Sequence, residues 1–147
     1  MTNIREQIRR HLLDSYTVRR PVERVLDELD AVREEARFAG WNGYGAKALQ
    51  TEAYQNAKLF LEALPTTAPS PEVSADPDGE VALDWVFGER KALTVSIGAA
   101  GRCTFAWMRG ARTYRGTDWL DDDGIPAPIA DALWRLVREL ADAPRNR

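Results

Sequence analysis

The apolar residues of this chain change their spacing near residue 70, and that change separates helix-forming from strand-forming sequence. Ile4, Ile8, Leu12 and Tyr16 recur at four-residue intervals, a narrow stripe that predicts an amphipathic helix over 2–16. Thr17 to Arg20 break the pattern. Pro21 then stands where the first turn of a helix accepts proline, and Val22, Val25, Leu26, Leu29, Val32 and Ala36 predict a second helix. A third helix is expected over 51–64, with Thr51 as its N-cap and Tyr54, Ala57, Leu61 and Leu64 on its buried side. The proline-rich "PTTAPSP", 65–71, is a connector.

From there the period becomes two. Val81, Leu83, Trp85 and Phe87 alternate with Ala82, Asp84 and Val86; Leu93, Val95 and Ile97 with Thr94 and Ser96; Cys103, Phe105 and Trp107 with Thr104, Ala106 and Met108. Such alternation predicts strands with one buried face. Residues opposite one another in an antiparallel pair point to the same side, so the apolar sets must face each other. The expected register pairs Trp85 with Leu93, Leu83 with Val95, Val81 with Ile97, Ile97 with Cys103 and Val95 with Phe105. "DPDG", 76–79, reads as a turn that a short strand at Glu72–Ala75 precedes, and 111–117 reads as a further strand. Ile129, Leu133, Leu136, Val137 and Leu140 predict a last helix over about 126–141.

The expected fold is α+β: an antiparallel four- to five-stranded β-meander with two helices, 51–64 and 126–141, on one face, preceded by two N-terminal helices. Residues 1–39 form a helical appendage that could act as a dimerisation arm, and 40–147 the core domain. The outward strand positions Ala82, Asp84, Thr94, Ser96, Thr104, Ala106 and Met108 are small or mildly polar, unlike a freely solvated sheet, and the N-terminal helices are the expected cover.

Composition narrows the chemistry. The 147 residues suit one domain with a proper core, and five tryptophans supply much of its area. A single cysteine, Cys103, leaves no internal disulfide and no multi-cysteine metal site. It falls on the inward set, where burial raises a thiol's pKa. The lone histidine, His11, sits on a charged segment, so a Ser–His–Asp or Cys–His arrangement has little to draw on. No metal and no cofactor is expected. "MTNIREQIRR" lacks the apolar centre of a secretory signal, and no apolar run reaches the roughly 20 residues of a membrane helix, so a cytoplasmic setting without membrane contact is expected.

Three groups of residues are candidates for binding. The loop "GWNGYGA" places Trp41 and Tyr44 among glycines, without the spacing or preceding strand of a phosphate-binding loop. Both rings are expected to pack onto the core, the glycines supplying positive φ and close approach. Arg109, Arg112, Tyr114 and Arg115 fall in a stretch, 90–115, that holds six bases and no acids, whereas 62–89 holds seven acids and no bases. Either these blocks neutralise each other across strands or they polarise the surface. Asp118, Asp121, Asp122 and Asp123 form an acidic loop before the last helix, without the alternation of a calcium-binding loop. Glu80 and Asp84 point outward and would work as an acid–base pair only in a cleft.

"WNGYGAKAL", "DPDGEVALDW" and "LTVSIGAAGR" in that order resemble a group of small bacterial proteins that carry a W-[DN]-G-Y-G-A loop followed by a D-P-D-G-E strand. The likeness spans about residues 40–100. It implies a shared fold and a cytoplasmic setting, and no catalytic residues to carry over.

The expected function is that of a non-enzymatic protein-binding module, antitoxin-, immunity- or inhibitor-like and of the mobile-element kind, acting on a partner protein through a polarised surface. A homodimer through the N-terminal helices is an additional expectation. The alternatives are a small enzyme or ligand binder with a pocket beside the WNGYGA loop, and a nucleic-acid-binding accessory protein; the net charge of −3 argues against the latter.

Overall fold

The computed structural model describes residues 21–120 and 124–142. The expected helix over 2–16 and the carboxylates Asp121, Asp122 and Asp123 lie outside the described residues. In chain order the elements are helix α1 (Pro21–Glu35), helix α2 (Thr51–Glu62), strands β1 (Glu72–Ala75), β2 (Val81–Val86), β3 (Lys91–Ile97), β4 (Arg102–Arg109) and β5 (Arg112–Trp119), and helix α3 (Ala127–Asp142). The strands form one antiparallel sheet in the order β1-β2-β3-β4-β5.

The register is the one that apolar alternation demands. Trp85 pairs with Leu93, Leu83 with Val95 and Val81 with Ile97, and across the next ladder Ile97 with Cys103 and Val95 with Phe105. A slip of one residue would turn every one of these side chains to the other face. Trp85, Leu83, Leu93, Val95, Ile97 and Cys103 are accordingly buried in a single core.

Among the described residues, the helices close that core from one side of the sheet. Tyr54, Ala57, Phe60 and Leu61 of α2 and Ile129, Ala132, Leu133 and Leu136 of α3 enter it. So do Val25 and Leu29 of α1, which packs on α2 and β1. Residues 21–35 therefore share the core that the sheet builds, and they do not cover the opposite face. The reason lies in α1 itself: its apolar stripe can lose water only against the apolar side of the sheet and α2. The Tyr54 hydroxyl donates to Asp30, and the Arg33 guanidinium lies 4.1 Å from the Tyr54 ring centre, fastening α1 to α2.

Three local details depart from the sequence reading or refine it. Thr51 is the first residue of α2; the N-cap is Gln50, whose side chain makes no capping bond, and its backbone N–H donates instead to Gly79 O at 3.0 Å. The connector is anchored by Trp85, whose Nε1–H donates to Pro69 O at 2.8 Å. On β5, Gly116 lies opposite Phe105, and a Cβ there would meet the Phe105 ring. The phenyl ring thus fills the space that a side chain at 116 would take, and it shields the bare backbone.

Candidate functional site

The face of the sheet turned away from the helices is paved in rows that the register defines. One row runs Val86–Ala92–Met108–Thr113, and the next Glu72–Asp84–Thr94–Ala106–Arg115. The third runs Ser74–Ala82–Ser96–Thr104–Thr117. Beyond them Arg102 pairs with Trp119, while backbone bonds from Asp76 N to Glu80 O and from Gly98 N to Arg102 O carry the ladder on. None of these side chains belongs to the core cluster. Val86 is 68% exposed and Trp119 54%, and Thr104, Thr113, Arg115 and Thr117 are exposed. Toward the middle of the sheet this surface is built of short side chains, Ala82, Thr94, Ser96, Thr104 and Ala106, and its rows hold no lysine.

Its charge is graded. Glu72, Asp76, Glu80 and Asp84 lie on the β1–β2 side, Arg102 and Arg115 on the β4–β5 side. Short polar bonds fix the acidic side: Thr94 Oγ1 donates to Asp84 at 2.6 Å and Ser96 Oγ to Asp76 at 2.9 Å. Glu80 lies 3.7 Å from the Arg102 guanidinium and occupies the space beside Gly98 where a Cβ would stand. Burial pushes the Asp76 carboxyl above its ordinary pKa, opposed by the Ser96 hydrogen bond. Glu80 is raised too, by burial first and then by the charge of Asp78, with Arg102 pulling the other way.

Asp76, Asp78 and Glu80 bring carboxylate oxygens within 4.8 Å of one another, a set with the hard oxygen donors a divalent cation takes. The sequence reading saw "DPDG" only as a turn. The signal was the i, i+2, i+4 spacing of its acids, which a tight turn folds onto one side. Ser96 and Arg102 already engage two of the three groups, and the set stands here as the acidic end of the open face.

The glycine-rich loop behaves differently from expectation. Tyr44 is 86% exposed, so it is not a core plug; Trp41 is half-buried. The loop closes on itself. Asn42 Oδ1 accepts from the backbone N–H groups of Tyr44 and Ala46, Trp41 Nε1 donates to Lys47 O at 2.9 Å, and Gly40 N donates to Ala46 O at 2.7 Å. Gly40 and Gly43 adopt φ of 80° and 79°, which glycine takes without strain. The loop is then pinned to the DPDG turn by Lys47 N donating to Pro77 O at 2.8 Å. Its residue pattern serves backbone closure, which leaves the Tyr44 ring free.

The basic candidates divide between the two faces. Arg115 points to the open face, whereas Arg109 and Tyr114 share the inner side of the ladder with Trp107. Arg109 forms an ion pair with Glu139 of α3, which Lys91 also reaches at 3.1 Å. The rings of Trp107 and Tyr114 stand 5.7 Å apart, and the guanidinium groups of Arg109 and Arg135 lie near Trp107. That cluster clamps the end of α3 to the sheet, and it occupies the aromatic surface on which a nucleobase would stack. Arg112, in the last pair before the turn, is exposed. Asp118 lies opposite Cys103 on the inner side and accepts from the N–H of Trp119 at 2.8 Å. Burial, with Asp118 adding to it, pushes the Cys103 thiol up to about 12, which removes it as a nucleophile.

Two hollows flank the 65–70 connector on the helical side. One, of about 100 Å³, lies among Val22, Val25, Leu61, Leu64 and Pro69. The other, about 40 Å³, lies beside Ile125, Leu133 and Trp134. Neither is bordered by Trp41, Tyr44, Glu80 or Asp84, the residues of the pocket reading. Among the described residues no helix is long and apolar enough to cross a membrane.

The class this geometry defines is a two-layer α+β domain whose described helices all lie on one side of a meander, with a charge-graded sheet face on the other that no described helix covers. Comparison with protein-family models, with curated proteins and with solved structures finds no match.

Proposed function

We propose that this chain is a non-enzymatic protein-binding module whose binding surface is the uncovered face of its sheet. One observation carries the reading: the described helices all pack on the same side, and the other side is a sheet face whose centre is Ser, Thr, Ala and Met, graded from acidic to basic. A solvated sheet face is ordinarily dressed in long charged side chains; short ones let a second surface approach closely, and the charge gradient fixes its orientation. The module acts by occupying a partner protein, as an antitoxin, immunity protein or inhibitor does. Asp84, Thr94 and Ser96 sit in the middle of the face as binding groups, satisfied by one another or by Asp76 rather than poised over a cleft.

The test is a substitution at the centre of the face. Thr104 is exposed and no hydrogen bond is formed by its side chain, so Thr104→Arg should fold normally while blocking close approach. Captured from its native host, the unaltered chain is expected to carry a stoichiometric partner that the T104R chain loses. A partner retained equally by both would move the interface elsewhere, and turnover of a substrate by the purified chain would overturn the reading.

A further inference from the structure

We propose that the open sheet face binds the same face of a second copy of this chain, around a two-fold axis that runs parallel to the strands and over β3. The inference rests on that face being a binding surface, and it names the partner.

The argument comes from the arrangement of the rows. Rotating a sheet by 180° about an axis along its strands reverses the order of strands but keeps each row at its own height. One copy's β1 then lies over the partner's β5, β2 over β4, and β3 over β3. In the second row Glu72 faces the partner's Arg115, Asp84 faces the partner's Ala106, and Thr94 meets the partner's Thr94. In the first row the exposed Val86 faces the partner's Met108 and Ala92 meets its own counterpart, so the apolar positions coincide. At the far end Glu80, which lies 3.7 Å from Arg102 of its own chain, comes opposite the partner's Arg102 as well. Along the axis itself the residues are Ala92, Thr94, Ser96 and Gly98, the smallest set on the face.

The charges select this axis over the other in-plane choice. A two-fold perpendicular to the strands would lay β1 and β2 on their own copies and β4 and β5 on theirs, so wherever the axis crossed, the acids of β1 and β2 would meet only β1 and β2 and never the arginines of β4 and β5. Like charges brought together out of water oppose that arrangement, and opposite charges favour the first. Among the described residues neither Glu72 nor Arg115 has an ion-pair partner within its own chain. Stacked sheets sit about 10 Å apart and cross at about 30°, so they diverge toward the edges; the long side chains are at the edges and the short ones at the centre. Five strands about 4.8 Å apart and roughly 20 Å long present on the order of 400 Å² per copy. That lies below the roughly 800 Å² per partner of a standard interface, so the dimer is reversible and dissociates on dilution and in salt.

Sedimentation velocity over a concentration series tests this. The unaltered chain is expected to move from its 16.5 kDa mass to twice that mass as concentration rises into the tens of micromolar, and less so at high salt. Glu72→Arg and Arg115→Glu each set like charges together at both ends of the interface and are expected to weaken association at least tenfold. The doubly swapped E72R/R115E chain should recover to within a few-fold of the original, and an equimolar mixture of the two single variants should form a heterodimer. Both positions are exposed, so circular dichroism and Tm should be unchanged; Ala92→Glu, which places carboxylates against each other on the axis, is the second disrupting variant. A chain that stays monomeric at hundreds of micromolar, or a double swap that fails to recover, overturns the inference. If the chain is monomeric yet T104R still loses a partner protein, the dimer fails while the binding-module reading stands. If the chain dimerises as described and T104R keeps that partner protein, the reverse holds.

Discussion

The two faces of the same five-stranded sheet obey different rules. Toward the helices Val81, Leu83, Trp85, Leu93, Val95, Ile97 and Cys103 are apolar and withdrawn from water, and on β5 the fit is close: Phe105 lies where a side chain at 116 would be. On the other side the same strands carry Ser, Thr, Ala and a graded charge, with polar groups paired laterally rather than buried from above. Burial drives the first face, so it tolerates no change of volume. The second gains little by folding and is free to be chosen for what it meets.

That contrast breaks most sharply at Trp85, which is 1% exposed and holds the connector through Pro69. Trp85→Ala is expected to cost about 3–5 kcal/mol, read from urea unfolding, because it opens a cavity and removes the donor to the Pro69 carbonyl. Cys103 reports the same closure chemically. With the thiol buried and its pKa raised to about 12, alkylation at pH 8 should run roughly a thousandfold slower in the native chain than in denaturant. A cysteine placed at Thr104, one residue along and on the open face, should label at nearly the rate of the unfolded chain. Native Cys103 reacting as fast would mean that the inner face is not sealed.

Smaller effects sharpen the comparison. Gly116→Ala drives a methyl into the Phe105 ring, and the ring can swing only by disturbing its neighbours; about 1–3 kcal/mol is expected from thermal unfolding. The acidic edge gives a pH dependence of defined sign. Burial raises the pKa of Asp76 and Glu80, so between about 4 and those raised values the folded chain holds protons that the unfolded chain has released. Their contribution to stability therefore falls as pH rises through that window. Asp76→Asn should remove part of the slope and raise Tm at pH 7 by about 1–3 °C. Thr104→Ala is the smallest change, within about 0.5 kcal/mol on stability, since nothing packs on it from above.

Tyr44 marks the limit of reading burial from residue type. An aromatic among glycines suggested a ring docked on the core, yet the loop's order comes from Asn42 and from backbone bonds, and the ring stands in solvent. Arg109 makes the converse point. It lies in a basic run that suggests a free binding surface, but the register turns it to the inner side, where Glu139, thirty residues later, neutralises it. Both outcomes depend on partners remote in sequence or on backbone angles, neither of which residue identity reveals.

Taken alone, the amino-acid order determined the strands, their pairing and the side of the sheet that would be dry. Alternation with period two admits one antiparallel register once apolar groups must lie together. The same order foresaw two helices, 51–64 and 126–141, on one side of the sheet, and only the folded arrangement decided where α1 would sit. Helix α1 carries a stripe whose partner the residue order does not name, and it packs on the side already apolar. It also gathered the acids of β1, β2 and their turn opposite the arginines of β4 and β5, because the meander converts separation along the chain into distance across the sheet. That conversion is what gives the open face its polarity.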